Sequence, residues 1–308
     1  MRNAYLEALY DLAADNKQIL ALVADNGAIV YDKFRRDFPS QFINFGISEA
    51  NMVSVAAGMA SCGKIPFVYT ISCFITYRAF EQVRNDVCLQ KMNVKLVGIG
   101  VGFVYSNLGP THHATEDMAV MRSLPNITIF SPADRMESRK ITMAAAEIDG
   151  PVYIRLATGG SPDVYEEDYK FTPGRGVVLQ DGSELTIITT GSITHEVKRA
   201  VREMSDLGIS VRLVNMHTLK PIDKDIILES AEKTKAILTV EEHTILGGLG
   251  GAVAEVLAEA RPSSVRFKRM GLDNHFPVGY GSYQDIKQMN GLSMEAIVEQ
   301  AKELMRNK

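Results

Sequence analysis

Residues 66–100, PFVYTISCFITYRAFEQVRNDVCLQKMNVKLVGIG, contain one complete strand–helix–strand unit. The runs PFVYTI (66–71) and VKLVGIG (94–100) are short, mostly apolar and rich in β-branched residues, which is typical of strands buried in a parallel sheet. The stretch between them, YRAFEQVRNDVCLQ, is amphipathic with the period of a helix. A helix that connects two buried strands predicts an α/β fold, in which helices cover the faces of a parallel sheet.

Strand–helix alternation continues through the rest of the chain. Seven further strands are predicted, at ILALVAD (19–25), ITIFS (127–131), PVYIRL (151–156), LTIITTG (185–191), VRLVNM (211–216), AILTVEE (236–242) and VRFKRM (265–270). Helical stretches are predicted at 48–61, 133–148, 193–208 and 247–260. The stretch 157–176, ATGGSPDVYEEDYKFTPGRG, is rich in Gly, Pro and Asp and has no periodicity, so we predict a linker. We therefore expect two α/β domains, 1–156 and 177–308, each a mainly parallel sheet with helices on both faces.

The bulk composition argues against several classes of protein. With 308 residues the chain is long enough for two domains of about 150 residues each, and its net charge of −4 arises from scattered charges of both signs. No basic stripe is present, which argues against nucleic acid and anionic membranes as partners. The N-terminus lacks the apolar run of a signal peptide, and no window approaches the roughly 18 apolar residues of a membrane span. Cys62, Cys73 and Cys88 form no CxxC pair, so we expect reduced cysteines in a cytoplasmic protein.

Two segments place chemically useful side chains beside predicted elements. In GISEANMVSVAAG (46–58), Ser48 is a good N-cap and Glu49 lies in the first helical turn, where it either complements the helix dipole or serves as a functional acid. In SCFITYRAFEQVRNDV (72–87), Phe74 follows directly after a strand, and ligands bind at the carboxyl ends of strands in open α/β sheets. Phe74 could stack there on a flat heterocycle, or it could be a core residue.

The segment 100–134, GVGFVYSNLGPTHHATEDMAVMRSLPNITIFSPAD, is a long glycine-rich loop followed by a helix. Its adjacent histidines, His112 and His113, are poor core material and good candidates for catalysis, although a surface pair without a role is the alternative. We predict no metal site here, because no HxH or HxxxH partner and no carboxylate stands at ligand spacing.

In order and spacing, these three segments resemble the pyrimidine-binding domain of transketolases. The segments HTLKPID (217–223), LTVEEH (238–243) and GGLGGAVAEVL (247–257) resemble the C-terminal domain of the same family, so the resemblance covers nearly the whole chain. Complete transketolases begin with a further domain, whose GDG segment and a downstream Asn bind magnesium and the cofactor's diphosphate. This chain contains no GDG and has no room for that domain.

The resemblance therefore implies the C-terminal subunit of a split transketolase, which transfers a two-carbon ketol unit between sugars. Its cofactor would be thiamine diphosphate, with Mg²⁺ held mainly by an N-terminal partner subunit. A site built between subunits favours a heterotetramer, with a homodimer of this chain flanked by two partner chains.

The resemblance also assigns roles to cofactor-binding residues. Glu49 would hydrogen-bond a ring nitrogen of the cofactor's aminopyrimidine and so promote the proton loss that makes the cofactor nucleophilic. A carboxyl group suits this role when it is partly protonated near neutral pH, which we expect from burial against apolar neighbours. Phe74 would stack on the pyrimidine, but one extra residue before Arg78 makes Ile75 a rival for that place. Tyr77 would line the same pocket.

Four more residues match family positions near the cofactor and substrate. Asp25, in ALVADNG, matches an aspartate near the thiamine, and His112 matches the residue that contacts the substrate beside its reacting carbon. Arg155 matches an arginine that holds the sugar phosphate, and Arg2 matches a second one; a guanidinium fork pairs two phosphate oxygens. From the residues alone, Arg155 is equally well explained as a surface arginine at a strand end.

The chain departs from the family pattern at three places. Where the family has Glu-Asp-Gly before GPTH, this chain has Asn107-Leu108-Gly109, and Leu108 cannot hydrogen-bond the donor hydroxyl that the aspartate contacts. A phosphate-binding histidine of the family aligns with Gly100, and a serine aligns near Ile29. These losses predict a substrate other than a standard pentulose or hexulose phosphate, such as a modified or branched sugar, a sulfosugar or an antibiotic precursor.

Three alternatives are weighed against this interpretation. The β-type subunit of a 2-oxo acid dehydrogenase shares the two-domain build, but GPTHHATED favours transketolase. A 1-deoxy-D-xylulose-5-phosphate synthase is a closer rival, because LKPIDKDIILESAEKTKAILTVEEH is similar to its C-terminal domain; that synthase normally keeps the aspartate that Leu108 replaces. A non-catalytic partner subunit is the alternative from another class, and retention of Glu49, Phe74 and His112 argues against it.

Overall fold

A computed structural model describes residues 1–158, 162–262 and 264–306. The strands of the first half are β1 (Ile19–Val23), β2 (Phe42–Asn44), β3 (Ile65–Ile71), β4 (Lys95–Ile99), β5 (Thr128–Phe130) and β6 (Val152–Leu156). Its helices are α1 (Arg2–Asp15), α2 (Asp32–Asp37), α3 (Glu49–Ser61), α4 (Phe80–Gln82), α5 (Asp117–Arg122) and α6 (Arg135–Glu147). Two π-helical turns, Phe74–Arg78 and Val83–Cys88, flank α4.

The second half repeats the strand–helix alternation. Its strands are β7 (Val177–Gln180), β8 (Leu185–Thr189), β9 (Val211–Asn215), β10 (Thr218–Lys220), β11 (Ala236–Thr244) and β12 (Arg266–Leu272). Its helices are α7 (Thr194–Asp206), α8 (Lys224–Thr234), α9 (Leu249–Ala260), α10 (Tyr283–Met289) and α11 (Met294–Arg306). All nine strands predicted from the sequence are confirmed, whereas the short strands β2, β7 and β10 were not predicted.

Two mainly parallel sheets organise the molecule, as the sequence predicted. The first has the order β10-β5-β6-β4-β3-β1-β2 and the second β12-β11-β8-β9-β7. Only β10 and β7 pair antiparallel with their neighbours. Because β10 comes from the C-terminal half and completes the edge of the first sheet, the two halves interlock; our division at residues 156 and 177 stays a prediction.

Helices cover both faces of each sheet. On one face of the first sheet, α1, α2 and α6 enclose a core that contains Tyr5, Phe34 and Ile141. The opposite face packs against α3 and α5, and that core continues into the second half, where α8 and α9 cover one face of the second sheet. The outer face of the second sheet is covered by α7 and α11. The apolar strands are therefore buried from both sides, which explains why nearly continuous apolar runs identified them.

The linker is hydrogen-bonded to the buried side chain of Glu137, which lies on α6. Glu137 accepts hydrogen bonds from the hydroxyls of Tyr165 (2.9 Å) and Tyr169 (2.6 Å) and from the side-chain amide of Asn215 (3.0 Å). Burial raises the pKa of Glu137 to about 7, and these donors oppose the shift. One helix of the first half thus holds both the linker and the second sheet. Among the described helices, none has the length and apolarity to cross a membrane.

Candidate active site

The candidate site lies where the parallel strands of the first sheet end. The carboxyl ends of β1, β3 and β4 lead directly into Asp25, Phe74 and the loop that begins at Gly100. Since parallel strands point the same way, these segments meet at one edge of the sheet, which is where open α/β sheets bind ligands.

Glu49 is the first residue of α3 and is 3 % exposed. Its Oε2 accepts a hydrogen bond from Nη1 of the half-exposed Arg78 at 2.9 Å. The Glu49 side chain therefore lies at a helix N-terminus and beside a guanidinium, two positive partners for a negative side chain. The predicted burial is present, but the apolar surroundings that we expected are not: Glu49 faces a cation.

Phe74 is the aromatic side chain that faces the site. Its half-buried ring meets His112 edge-on, with 5.5 Å between the ring centroids, and the Arg78 guanidinium lies 4.3 Å from its centroid. Ile75, its rival, is fully buried in the core. The π-helical turn Phe74–Arg78 accounts for the extra residue, because a π-helical turn absorbs one inserted residue within a helix. The insertion therefore leaves Phe74, Arg78 and Glu49 in contact.

The two adjacent histidines lie in different environments. His112 is half-buried, and its Nδ1 lies 3.0 Å from the hydroxyl of Thr111. His113 is buried against Phe103, with 6.0 Å between the ring centroids, and neither of its ring nitrogens has a hydrogen-bond partner in the part of the chain that the structure describes. Burial lowers the pKa of His113, so it packs as a neutral ring. His112 is the histidine that faces Phe74.

Tyr77 and Asp25 each join two segments at this edge. The Tyr77 hydroxyl donates to Oε2 of Glu116 at 2.8 Å, so it joins the π-helical turn to the segment that follows His112. Asp25 has a left-handed backbone (φ 58°), is exposed, and donates its backbone N–H to the Asn44 side chain at 3.0 Å. Asp25 thereby ties the ends of β1 and β2.

Arg155 is buried and engaged inside the protein. Its side chain is 1 % exposed, and its Nε donates to Oδ2 of Asp117 at 2.9 Å. Its Nη2 donates to the backbone carbonyls of Ala114 (3.2 Å) and Glu242 (3.0 Å). The expectation of a surface arginine was wrong, because a charge on a strand covered on both faces is paired inside the protein. The phosphate-binding role stays a prediction, and the burial of the guanidinium argues against it.

Arg2 is half-buried at the start of α1, and its Nε has no hydrogen-bond partner among the described residues. Burial raises the pKa values of the Tyr69 and Tyr105 hydroxyls, and the positive charge of Arg2 opposes both shifts. Arg2 retains an unpaired donor, unlike Arg155.

The loop that lost the family aspartate is partly covered by the second half. Leu108 is 46 % exposed, and the ring of Tyr280 packs on Gly109 so closely that a Cβ there would lie 2.6 Å from Cε1. Gly102 abuts the carboxylate of Glu242, which accepts the backbone N–H of Phe103 at 2.6 Å. The conformation of this loop therefore depends on both halves of the chain.

This set of residues fits the pyrimidine end of thiamine diphosphate. A buried carboxylate and an adjacent aromatic ring suit the hydrogen-bonding edge and the flat face of a heterocycle. Within residues 1–158, 162–262 and 264–306, no three His, Cys, Asp or Glu side chains are grouped to hold a metal ion. The residues thus suit one end of the cofactor.

Sequence reasoning missed two residues that organise the site. Arg78 contacts both Glu49 and Phe74, and Asp117 accepts from Arg155, Tyr153 (2.7 Å) and Ser72 (3.3 Å). Both lie inside the motifs RAFEQVR and HHATED. Each residue had a signal in the sequence. Arg78 is a charged residue shortly after a predicted strand, and Asp117 is a charged residue at the start of a helix.

Comparison with known proteins accords with this geometry. Residues 1–160 match the model of the transketolase pyrimidine-binding domain, and residues 174–297 match that of the transketolase C-terminal domain. The chain is 36 % identical over 307 residues to one of the subunits of apulose-4-phosphate transketolase from Phocaeicola vulgatus, covering 99 % of this chain and 97 % of that one. It is also 36 % identical over 310 residues to a 6-deoxy-6-sulfo-D-fructose transketolase subunit of a Clostridium species, covering 100 % and 95 %.

A solved structure gives the same result. A split-gene transketolase, described as an inactive tetramer of four beta chains, superimposes with a TM-score of 0.89 at 40 % identity, covering 99 % of this chain and 97 % of that one. Both domain matches and the relatives covered over nearly their whole length agree, and this chain belongs to the transketolase family as a C-terminal subunit of its split form.

Proposed function

We propose that this chain supplies the pyrimidine half of a thiamine-diphosphate site to an N-terminal partner subunit, and that the assembly transfers a ketol unit from a non-standard sugar. The observation that carries the proposal is a chain of contacts at the carboxyl edge of the first sheet. Arg78 binds Glu49 and lies over the ring of Phe74, and Phe74 in turn meets His112 edge-on. A chain that no longer served this site would have no reason to keep these side chains in contact.

Each residue of the chain has a defined part in this chemistry. When bound, thiamine diphosphate supplies a nucleophilic carbon. Phe74 would hold the flat face of the pyrimidine, and Glu49 would hydrogen-bond its edge. Arg78 donates to Glu49 at 2.9 Å and thereby fixes the position of the carboxylate. His112, with one ring nitrogen engaged by Thr111, would present the other to a sugar oxygen.

The loop after β4 supports a non-standard donor. Leu108 offers no hydrogen bond to a donor hydroxyl, and Gly100 offers no side chain to a phosphate. The relatives named for apulose 4-phosphate and 6-deoxy-6-sulfo-D-fructose act on sugars of this kind. A branched sugar phosphate or a sulfosugar is therefore the substrate class that we propose.

Calorimetry tests the shared site. We would titrate thiamine diphosphate with Mg²⁺ into this chain alone, and then into the chain co-expressed with the N-terminal transketolase subunit of the same organism. Tight binding only in the co-expressed sample is expected, because the diphosphate end needs the partner. Tight, magnesium-dependent binding by the chain alone would contradict the proposal.

A donor panel tests the substrate class separately. The assembled enzyme would be assayed with xylulose 5-phosphate, fructose 6-phosphate, a branched ketose phosphate and a sulfoketose. We expect one of the last two to have the highest kcat/KM. If xylulose 5-phosphate is turned over best, the inference from Leu108 and Gly100 is wrong.

Assembly is the third part of the proposal. We propose two copies of this chain flanked by two partner chains, a closed α2β2 arrangement with two-fold symmetry. Analytical ultracentrifugation of the co-expressed sample would distinguish this heterotetramer from a one-to-one complex. A one-to-one complex with full activity would contradict it.

A further inference from the structure

The segment that follows β12, residues 275–280 (HFPVGY), exposes three large apolar side chains. Phe276 is 73 % exposed and Tyr280 is 67 % exposed, and Val278 between them is exposed as well. A single exposed apolar side chain is ordinary on a protein surface. Three within five residues, two of them aromatic, indicate a surface that binds another molecule.

This segment is held in one conformation by the end of α10. The Asn290 side chain accepts the backbone N–H of Val278 at 3.0 Å and donates to the carbonyl of the same residue at 3.1 Å. The Met289 thioether packs so closely on Gly279 that no Cβ would fit there, and the glycine has a left-handed backbone (φ 88°). A surface that is already ordered loses little conformational entropy when it binds a partner.

Tyr280 connects this apolar surface to the candidate active site. Its ring packs on Gly109, whose carbonyl accepts the backbone N–H of His112 at 3.0 Å. Leu108, which precedes Gly109, is also exposed. The apolar surface therefore continues from the second half of the chain onto the turn that leads to His112.

The position of this surface favours the N-terminal subunit as its occupant. In a split transketolase, that subunit has to cover the carboxyl edge of the first sheet, where Glu49 and His112 lie. The exposed side chain of Ile47, two residues before Glu49, is a further apolar group on that edge. A stable interface takes about 800 Å² of surface from each partner, so a protein that covers the site also covers the surface around it.

We propose that Phe276, Val278 and Tyr280 bind a complementary apolar surface of the N-terminal partner subunit. This inference rests on the proposed function, and it adds the second half of the chain to the interface between the subunits. Apolar and aromatic side chains at the centre of an interface contribute most of its binding energy. Because Tyr280 also packs on Gly109, binding here would restrict the turn that leads to His112.

Serine variants of Phe276 and Val278 test this surface and leave Tyr280 in place on Gly109. The chain and the N-terminal transketolase subunit of the same organism would be purified separately, and their Kd measured by biolayer interferometry with thiamine diphosphate and Mg²⁺. The Kd should rise about 10- to 100-fold for Phe276→Ser and less for Val278→Ser, since a central aromatic side chain contributes most. Both side chains are exposed, so the thermal midpoint of the chain alone should not change.

The Leu207→Ser variant is the matched control. Leu207 is also exposed, and it follows α7, whose first turn contacts α10 through Glu196 and Lys287 (2.8 Å). Leu207 lies 11 residues beyond Glu196, or about 16 Å along the helix, and its loss should leave the Kd unchanged. A Phe276→Ser variant that binds the partner as tightly as the wild type would overturn the proposal.

Two further outcomes separate this inference from its alternatives. Analytical ultracentrifugation of the chain alone should give the same result for the wild type and for Phe276→Ser. If Phe276→Ser dissociates an assembly of the chain alone and leaves the Kd for the partner unchanged, the surface binds a second copy, which overturns the proposal. If the partner binds through these residues but the complex transfers no ketol unit from any sugar, only the proposed function is overturned.

Hydrogen exchange provides a measurement that needs no variant. The backbone amides of Phe276, Gly279 and Tyr280 would be followed in the chain alone and in the complex with the partner subunit. Binding should slow their exchange about tenfold or more, whereas exchange at residues 205–208 should stay the same. Unchanged exchange at residues 276–280 in a fully formed complex would overturn the proposal.

Discussion

Replacing Arg155 with methionine separates a structural role from a substrate-binding one. Methionine has a similar length and no charge, so it leaves Asp117 buried without its cation. If Arg155 held a sugar phosphate, the variant would fold normally and raise KM. The structure predicts a loss of stability instead, because the guanidinium is enclosed and engaged by three protein groups.

The size of that loss follows from the contacts. Removing one partner of a buried ion pair costs about 3–5 kcal/mol, because the other charge stays buried and uncompensated. The carbonyls of Ala114 and Glu242 also lose a donor. The double variant Arg155→Met with Asp117→Asn should lose less than the sum of the two single variants, since no buried charge remains without its partner.

Urea unfolding of the chain alone measures this effect. The sequence has 11 tyrosines and no tryptophan, so circular dichroism at 222 nm with tyrosine fluorescence would follow the transition. Arg139→Met is the control, because Arg139 pairs with Asp11 at 2.7 Å on the surface and such pairs contribute at most about 1 kcal/mol. An Arg155→Met variant within about 0.5 kcal/mol of the wild type would refute the reasoning.

Three further predictions concern the site, the linker and the loop. In the assembled enzyme, Glu49→Gln should lower kcat about a hundredfold or more with little change in the unfolding midpoint, because it keeps the shape and removes the acid–base group. The pKa of Glu137 is raised to about 7 from 4.5, so its stabilisation is full below about pH 4.5 and is lost as the pH rises through 7. The stability gap between wild type and Glu137→Gln should therefore shrink by on the order of 3 kcal/mol between pH 4.5 and pH 8, and a constant gap in urea titrations would contradict this. Gly102→Ala should cost about 1–3 kcal/mol because its Cβ overlaps Glu242, whereas the control Gly58→Ala, which has nothing within 4 Å, should be neutral or slightly stabilising by urea unfolding.

The sequence predicted most of the fold because its strands are enclosed on both faces. Such strands are mostly apolar, and eight of the nine strands that were found are buried along nearly their whole length, whereas β12 is partly exposed. The three missed strands have only three or four residues each. The choice between Phe74 and Ile75 needed the structure, since a π-helical turn cannot be recognised from residue types. The burial of Arg155 had a physical signal: an arginine inside PVYIRL, on a strand expected to be covered on both faces, requires an internal partner. Asp117, 38 residues away, could not be identified without the fold.

The departures from the family pattern in the loop after β4 are coupled. Gly100 lies under Tyr105, so this position cannot regain a side chain while the tyrosine stays, and Gly109, which matches the family glycine, lies under Tyr280 of the second half. Leu108 directly precedes Gly109, and the Tyr280 ring that packs on Gly109 restricts the backbone there. A single return to the family residue would therefore place an isolated polar group in a loop whose shape is set by two tyrosines. We therefore expect donor specificity to depend on the packed loop as a whole, on the two tyrosines as well as on Leu108.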